Sequence, residues 1–272
     1  MSRITQRGAT APIDLFKQAT SLATGTGVVD PSFITYPGQK FDLADGREVT
    51  LVSNGAVALA SGVLVQGSAI VANHQNLAVA VPTATPATAG TFRVSVTLGA
   101  TKLTANQYQG GFAIVNAGTG IGQTLRISSN PGAAASAAGV IITLEDAIAV
   151  TLDATSKLSL HANPYQDVVI NPTTSTNRVV GVTLYPLAAA TAITSDTNGA
   201  VTGVGIQQYG FVVSKGITSC LSDASVAAAG LGIAPSTTTA GAVTVQAATL
   251  ANIGSAILLG VSAESRAIYL DC

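Results

Sequence analysis

Apolar and polar residues alternate along most of this chain in short runs, beginning at about Phe41. An alternation with a period of two places every second side chain on the same face of a β-strand. The clearest runs are Glu48–Val52, Thr91–Leu98, Gln123–Ile127, Val140–Leu144, Ala149–Leu152, Lys157–Leu160 and Ala267–Leu270. Sustained helical periodicity is absent from the same region, apart from candidate short helices near Ser222–Ala229 and Leu250–Ile257. The pattern therefore predicts a long succession of short strands.

Turn-forming residues separate these runs. They form clusters at Ala44-Asp45-Gly46, Asn54-Gly55, Pro82 to Gly90 and Asn130-Pro131-Gly132. Asp-Gly and Asn-Gly pairs favour tight hairpin turns. Many short strands that recur about every 8 to 12 residues, with turns between them, are typical of sandwiches and barrels. The sequence thus predicts an all-β fold.

Three regions can be distinguished along the chain. Residues 1–38 are rich in proline and basic residues and have few alternating positions, which predicts an extended N-terminal arm. A weak similarity between segments 106–115 and 205–213 indicates two related β-sandwich or β-barrel-like modules, residues 39–173 and 174–272. The candidate partner-binding residues are the basic residues of the arm, Arg3, Arg7 and Lys17.

The composition predicts an unusual surface for this fold. Only 9% of the residues are charged, against roughly 25% in an average soluble domain. A monomer in water normally carries charges of both signs on its surface, so we expect other protein to cover much of this one. The net charge of −1 argues against a nucleic-acid partner, because binding phosphates requires a basic surface.

Residues able to carry catalysis or bind a metal are few and scattered. Neither His74 nor His161 has a second histidine, a cysteine or an acid within the spacing of a metal-binding motif. Cys220 lies in a strand-like segment, which is typical of a packed free thiol and not of a nucleophile. We therefore expect no catalytic residue and no metal site, and the protein is not predicted to be an enzyme.

Two further segments resemble ligand-binding loops but lack the complete motifs. Gly118–Gln123 has neither the final glycine of the dinucleotide fingerprint nor a helical pattern after it. Asp42–Gly46 lacks the alternating acids and the closing glutamate of a calcium loop, whereas Asp45-Gly46 suits a hairpin turn. Both segments are predicted to be turns, and no cofactor is expected.

Localisation follows from the cysteines and the longest apolar segment. Leu250–Ala263 is shorter than the roughly 20 residues of a membrane span, and it contains Asn252 and Gly254. The first residues lack the apolar core of a signal peptide. Two cysteines are too few for a disulfide scaffold. We expect synthesis in a reducing cytoplasm, free thiols and no membrane partner.

A further set of segments is informative when taken together: Ala72–Leu77, Val94–Leu98, Thr104–Tyr108, Gly120–Ile127, Asn163–Val169, Gln208–Val212 and Ile253–Ala256. Together they resemble a group of head proteins from tailed bacteriophages, especially aquatic ones, that look like capsid decoration (cement) proteins. The resemblance covers about residues 40–272 and includes no catalytic motif. It implies oligomeric β-rich modules on the outer face of an icosahedral shell, with the major capsid protein as partner and the virion as location.

The expected function is therefore structural: the protein binds the outer surface of a phage capsid and stabilises it by bridging neighbouring capsomers. A homotrimer is expected, because shells offer local three-fold axes to a cyclic trimer. The arm is expected to lie on neighbours and to add a strand to an exposed edge. The alternatives are a tail or head-fibre protein that contacts a receptor, a hydrolase whose histidines and acids converge in space, and a surface-layer or adhesin module.

Overall fold

The computed structural model describes residues 37–80, 87–191, 193–203, 207–223, 229–258 and 263–272, together with the backbone of residues 3–6 and 12–14. The chain divides into two compact units. The first, here called the sheet unit, comprises Met1–Ala69, Pro164–Thr191 and Ile206–Cys272. The second, the barrel unit, comprises Ile70–Asn163 and Ala192–Gly205.

The described part of the chain contains twenty strands and one short 3-10 helix, Ala72–His74, which are joined by turns and loops. The strands are β1 (Arg3–Gln6), β2 (Pro12–Asp14), β3 (Lys40–Leu43), β4 (Glu48–Asn54), β5 (Leu64–Gln66), β6 (Leu77–Ala80), β7 (Arg93–Thr97), β8 (Phe112–Ala117), β9 (Thr124–Ser129), β10 (Val140–Leu144), β11 (Lys157–His161), β12 (Val169–Ile170), β13 (Val179–Thr183), β14 (Thr194–Ser195), β15 (Val201–Gly203), β16 (Gln208–Leu221), β17 (Gly232–Pro235), β18 (Val243–Val245), β19 (Gly254–Ala256) and β20 (Ser265–Asp271). The described residues contain no α-helix, so the predicted all-β fold is confirmed. The short helix predicted near Leu250–Ile257 is wrong, because Gly254–Ala256 forms β19 and pairs with β17 and β20. Most of the other predicted short helix, Ser222–Ala229, lies outside the described residues.

A twelve-stranded sheet forms the sheet unit, with the order β18-β17-β19-β20-β16-β4-β3-β1-β2 along its main path. The remaining three strands branch from β16: β13 pairs with β16 and with β5, and β5 also pairs with β12. Strand β16 is 14 residues long and is antiparallel to β4, β13 and β20. Phe211 of β16 packs edge to face against Phe41 of β3, with ring centroids 5.7 Å apart. Both rings belong to one of the buried clusters of this unit.

The barrel unit is a closed six-stranded barrel in the order β10-β7-β6-β11-β8-β9. Alternate residues of each strand point inward, as the period-two pattern requires. Inward-facing aliphatic side chains therefore fill the barrel, among them Val94, Val96, Leu125, Ile127, Ile142, Leu158 and Leu160. Because β9 pairs with β10, the ring closes and leaves no free edge in the barrel.

The predicted boundary between residues 173 and 174 does not match the observed units. The barrel is inserted between β5 and β12, and segment 192–205 returns to it from the sheet unit. That segment is held in the barrel unit by Lys102, whose Nζ donates to the carbonyl oxygens of Ser195 at 2.8 Å and Asp196 at 2.9 Å. The mismatch arises because β4 pairs with β16, a partner too distant in sequence for local alternation to reveal.

The two similar segments used to infer related modules also occupy different settings. Segment 106–115 ends in β8, which pairs with β9 and β11 in the barrel. Segment 205–213 continues into β16, which pairs with three strands of the open sheet. Their shared glycines and aromatic residues therefore do not correspond to a repeated architecture.

The predicted arm, residues 1–38, contains two described strands. Strand β1 pairs with β2, and on its other side with β3, so that both extend the edge of the sheet. Arg3 lies in β1, whereas Arg7 and Lys17 lie outside the described residues. Among the described residues no helix is both long and apolar enough to cross a membrane.

Candidate functional site

His74 is completely buried in the barrel unit, at the end of the 3-10 helix. Its Nε2 lies 3.1 Å from the carbonyl oxygen of Thr101, and its Nδ1 lies 2.7 Å from the hydroxyl of Tyr108. A carbonyl oxygen only accepts, so Nε2 carries the proton of the neutral ring and Nδ1 accepts from the Tyr108 hydroxyl. Both ring nitrogens are thus used to join loop segments of the barrel, and neither is available for catalysis or a metal.

Burial lowers the pKa of His74 below its ordinary value of 6.5, and this effect exceeds the opposing effect of the Thr101 carbonyl. The unfolded chain then binds a proton below pH 6.5 that the folded chain excludes. We expect the free energy of unfolding to be unaffected by His74 above about pH 6.5 and to fall as the pH drops below it. Denaturant unfolding at pH 7.5 and pH 5 measures this difference.

Two variants separate His74 from the other titrating groups. His74→Gln removes the titrating ring and should reduce the loss of stability between pH 7.5 and pH 5, although it lowers stability at both pH values by about 1–3 kcal/mol. His161→Gln is the matched control, because His161 is only half-buried, at the end of β11. The reduction in pH dependence should be larger in His74→Gln than in this control. An unchanged pH dependence in His74→Gln would contradict the assignment.

The two cysteines are free thiols in the sheet unit. Burial raises the pKa of Cys220 to about 12 and that of Cys272 to about 11. A thiol becomes a nucleophile as its thiolate, which a raised pKa suppresses. Cys220 lies in a buried apolar cluster with residues such as Ile268 and Leu270, as expected for a packed free cysteine.

The two candidate ligand loops are turns, as predicted. Gly118, Gly120 and Gly122 each have φ between +76° and +91°, and they reverse the chain between β8 and β9. Their amides serve the turn itself, since Gly122 N–H donates to the Val115 carbonyl oxygen at 2.8 Å. Asp45-Gly46 forms the hairpin between β3 and β4, with Gly46 at φ +84°.

Asp153 is an exposed acid whose pKa lies well below its ordinary value. Hydrogen bonds from Thr119 and Thr155 hold the pKa of this exposed carboxyl at about 2. The Thr119 hydroxyl donates to Asp153 Oδ2 at 2.6 Å, and the Thr155 hydroxyl donates to Oδ1 at the same distance. The carboxylate therefore ties two loops together. No group of three histidines, cysteines or acids within the described ranges is arranged to hold a metal ion.

The strongest candidate for an interaction site is an exposed surface of the sheet unit, on strands β16 and β20. Lys215, Ile217 and Ser219 of β16 point to solvent, whereas the residues that follow each of them, Gly216, Thr218 and Cys220, are buried. Antiparallel pairing places Asp271, Tyr269 and Ala267 of β20 opposite these three exposed residues, in that order. We call these six residues the β16–β20 face.

The centre of the β16–β20 face is apolar. Ile217 and Tyr269 are directly opposite each other, with 56% and 41% of their surfaces exposed. The only charged residues of the face form one ion pair at its end, where Lys215 Nζ lies 3.4 Å from Asp271 Oδ1. Outward positions of a sheet normally carry polar side chains in water. This face has no net charge and therefore suits an apolar, uncharged protein surface.

Sequence reasoning did not identify this face. The run Ala267–Leu270 was predicted to be a strand, but all four residues are apolar, so alternation alone does not show which side faces solvent. The structure resolves this, because Ile268 and Leu270 are buried while Tyr269 is exposed. A usable signal was present in Lys215–Ser219, where two polar residues flank Ile217 at the spacing of one strand face.

No family model matches this chain, and no curated protein or solved structure is significantly similar to it. A functional assignment therefore rests on the sequence and on the geometry of its own residues. The features that bear on it are the all-β fold, the scarcity of charge and the β16–β20 face.

Proposed function

We propose that this protein is a virion structural protein that binds the outer surface of a phage capsid and stabilises it by bridging neighbouring capsomers. It is proposed to act as a homotrimer, with the major capsid protein as partner, and without catalysis. The observation that carries the proposal is the β16–β20 face, an exposed strand surface whose centre is Ile217 and Tyr269. The sequence resemblance described above supports the same assignment.

The composition supports an assembled state of this kind. With 9% charged residues, the chain has few groups to keep exposed sheet surfaces in water. Aromatic residues are enriched in the cores of protein interfaces and charged residues are depleted there. The β16–β20 face has one exposed tyrosine and only a mutually neutralised ion pair. Contact with a shell would remove its apolar centre from water.

The proposed mechanism is selective binding of one state of the shell. A ligand stabilises the state to which it binds by an amount that grows with its concentration above the dissociation constant. A protein that contacts two capsomers at their spacing in the expanded shell binds that state better than the compact one. Binding then opposes contraction and rupture of the expanded shell.

Co-sedimentation with purified capsids tests this proposal. The protein is mixed with expanded and with unexpanded shells that lack it, and the bound fraction is measured after centrifugation. We expect saturable binding to expanded shells at a fixed ratio to the capsid protein, and weaker binding to unexpanded shells. Absence of binding to both forms would refute the proposal, whereas unsaturable binding to both would show adsorption.

A further inference from the structure

Strand β3 forms a well-anchored edge to which another strand attaches. On one side it pairs with β4, with Phe41 opposite Val49. Phe41 and Leu43 are buried in the core, and Lys40 forms a 2.7 Å ion pair with Glu48 of β4. The β3–β4 pairing and the Lys40–Glu48 ion pair do not involve β1, so both hold β3 in place whichever strand pairs with its other side.

The strand on that other side is β1, and it comes from the N-terminal part of the chain. In the observed register Ile4, Thr5 and Gln6 lie opposite Leu43, Asp42 and Phe41. Strand β2 pairs with the far side of β1 and ends the sheet. The hairpin β1–β2 therefore joins the rest of the sheet through the β1–β3 ladder.

The connection from this hairpin back to β3 is much longer than the distance it must cover. The register places Asp14 two strand spacings away from β3 across the sheet, and several residues away from Pro37 along the strand direction. The distance from Asp14 to Pro37 is therefore roughly 20–25 Å. Residues 15–36 lie between them, and a chain of that length reaches roughly 70 Å when extended. The connection is thus long enough for the hairpin to reach the β3 edge of an adjacent copy.

We propose that, in assemblies of this protein, the β1–β2 hairpin of one copy pairs with β3 of a second copy. The ladder between two copies has the same register and hydrogen bonds as the ladder within one chain. The balance between exchanged and intrachain pairing therefore depends on the local concentration of neighbouring copies. Exchange links the copies without requiring a new complementary surface. It concerns contacts between copies and holds or fails independently of capsid binding.

Cysteine pairs across the β1–β3 ladder test the exchange. Residues opposite each other in antiparallel strands have Cα atoms about 4.5–5.5 Å apart, within the range that a disulfide bridges. Thr5→Cys and Asp42→Cys are placed in separate chains, each also carrying Cys272→Ser, and the two chains are co-expressed and mildly oxidised. Exchange predicts a disulfide between Thr5→Cys chains and Asp42→Cys chains, seen by non-reducing electrophoresis and mass spectrometry.

Two controls define the outcomes. Asp45→Cys replaces Asp42→Cys as the matched control, because Asp45 is also exposed but lies in the β3–β4 turn; its yield of interchain disulfide should be at least tenfold lower. A single chain with both Thr5→Cys and Asp42→Cys reports the ladder itself. A bond within that chain, with no bond between co-expressed single variants, overturns the exchange. Absence of both bonds overturns it as well, because the β1–β3 register would then be wrong.

Discussion

Gly118→Ala should destabilise the barrel unit far more than Gly122→Ala does, although both glycines lie in the same turn. Gly118 has φ +76° and Gly122 has φ +91°, so a side chain at either position adopts a left-handed conformation that costs roughly 1–2 kcal/mol. A Cβ at Gly122 meets nothing within 4 Å, whereas one at Gly118 overlaps the backbone of Thr155 and lies 2.7 Å from the Cα of Ser156. The backbone there yields only with distortion of the barrel.

We expect losses in the free energy of unfolding of about 4 kcal/mol for Gly118→Ala and of roughly 1–2 kcal/mol for Gly122→Ala. Denaturant unfolding of the two purified variants measures the difference. The segment 153–156 is fixed by further bonds, including one from the Ser156 hydroxyl to the Thr119 carbonyl oxygen at 2.7 Å. Equal losses in both variants would show that this segment moves away freely and that the close approach is not required.

Ile217→Asp should weaken attachment to expanded capsids about 30-fold or more, which corresponds to roughly 2 kcal/mol and to the loss of a central interface residue. The substitution puts a carboxylate in the middle of the β16–β20 face, where contact with the shell would remove it from water without a partner. The co-sedimentation assay gives the dissociation constant. Tyr269→Ala, which removes the opposing ring, should weaken attachment in the same direction.

Val57→Asp is the matched control for this prediction. Val57 is also an exposed β-branched residue of the sheet unit, with 67% of its surface accessible, but it does not belong to the β16–β20 face. It should retain wild-type attachment. Unfolding curves must show that both variants remain folded, because Ile217 and Tyr269 also form a cross-strand pair worth about 0.2–1 kcal/mol. Equal attachment of Ile217→Asp and Val57→Asp would exclude this face as the contact surface.

Six of the seven alternating runs coincide with strands of the structure, but alternation could not show which runs pair. Glu48–Val52 lies within β4, and Thr91–Leu98 contains β7. Ala149–Leu152 was predicted to be a strand, but its burial does not alternate: Ala149, Val150 and Thr151 are all exposed and only Leu152 is buried. It is a loop, because the amides of Ala149 and Val150 donate to the side-chain oxygen of Gln123 and not to a neighbouring strand.

Long-range pairing explains what the sequence left undetermined. The chain order of alternating runs does not reveal that β5 pairs with β12 and β13 across the inserted barrel. Nor does it reveal that Tyr108 and Thr101 satisfy the ring of His74. The prediction that His74 has no catalytic role followed from the absence of nearby ligand residues, whereas its actual role depends on loops that meet only in the folded barrel.

Cryo-electron microscopy of phage particles assembled in the presence of this protein tests the central claim most directly. The account predicts density for the protein on the outer face of the expanded shell, with Ile217 and Tyr269 buried against capsid subunits and each copy, or each oligomer, contacting more than one capsomer. A map of the virion in which the protein is absent from the shell, or in which the β16–β20 face points to solvent, would contradict it.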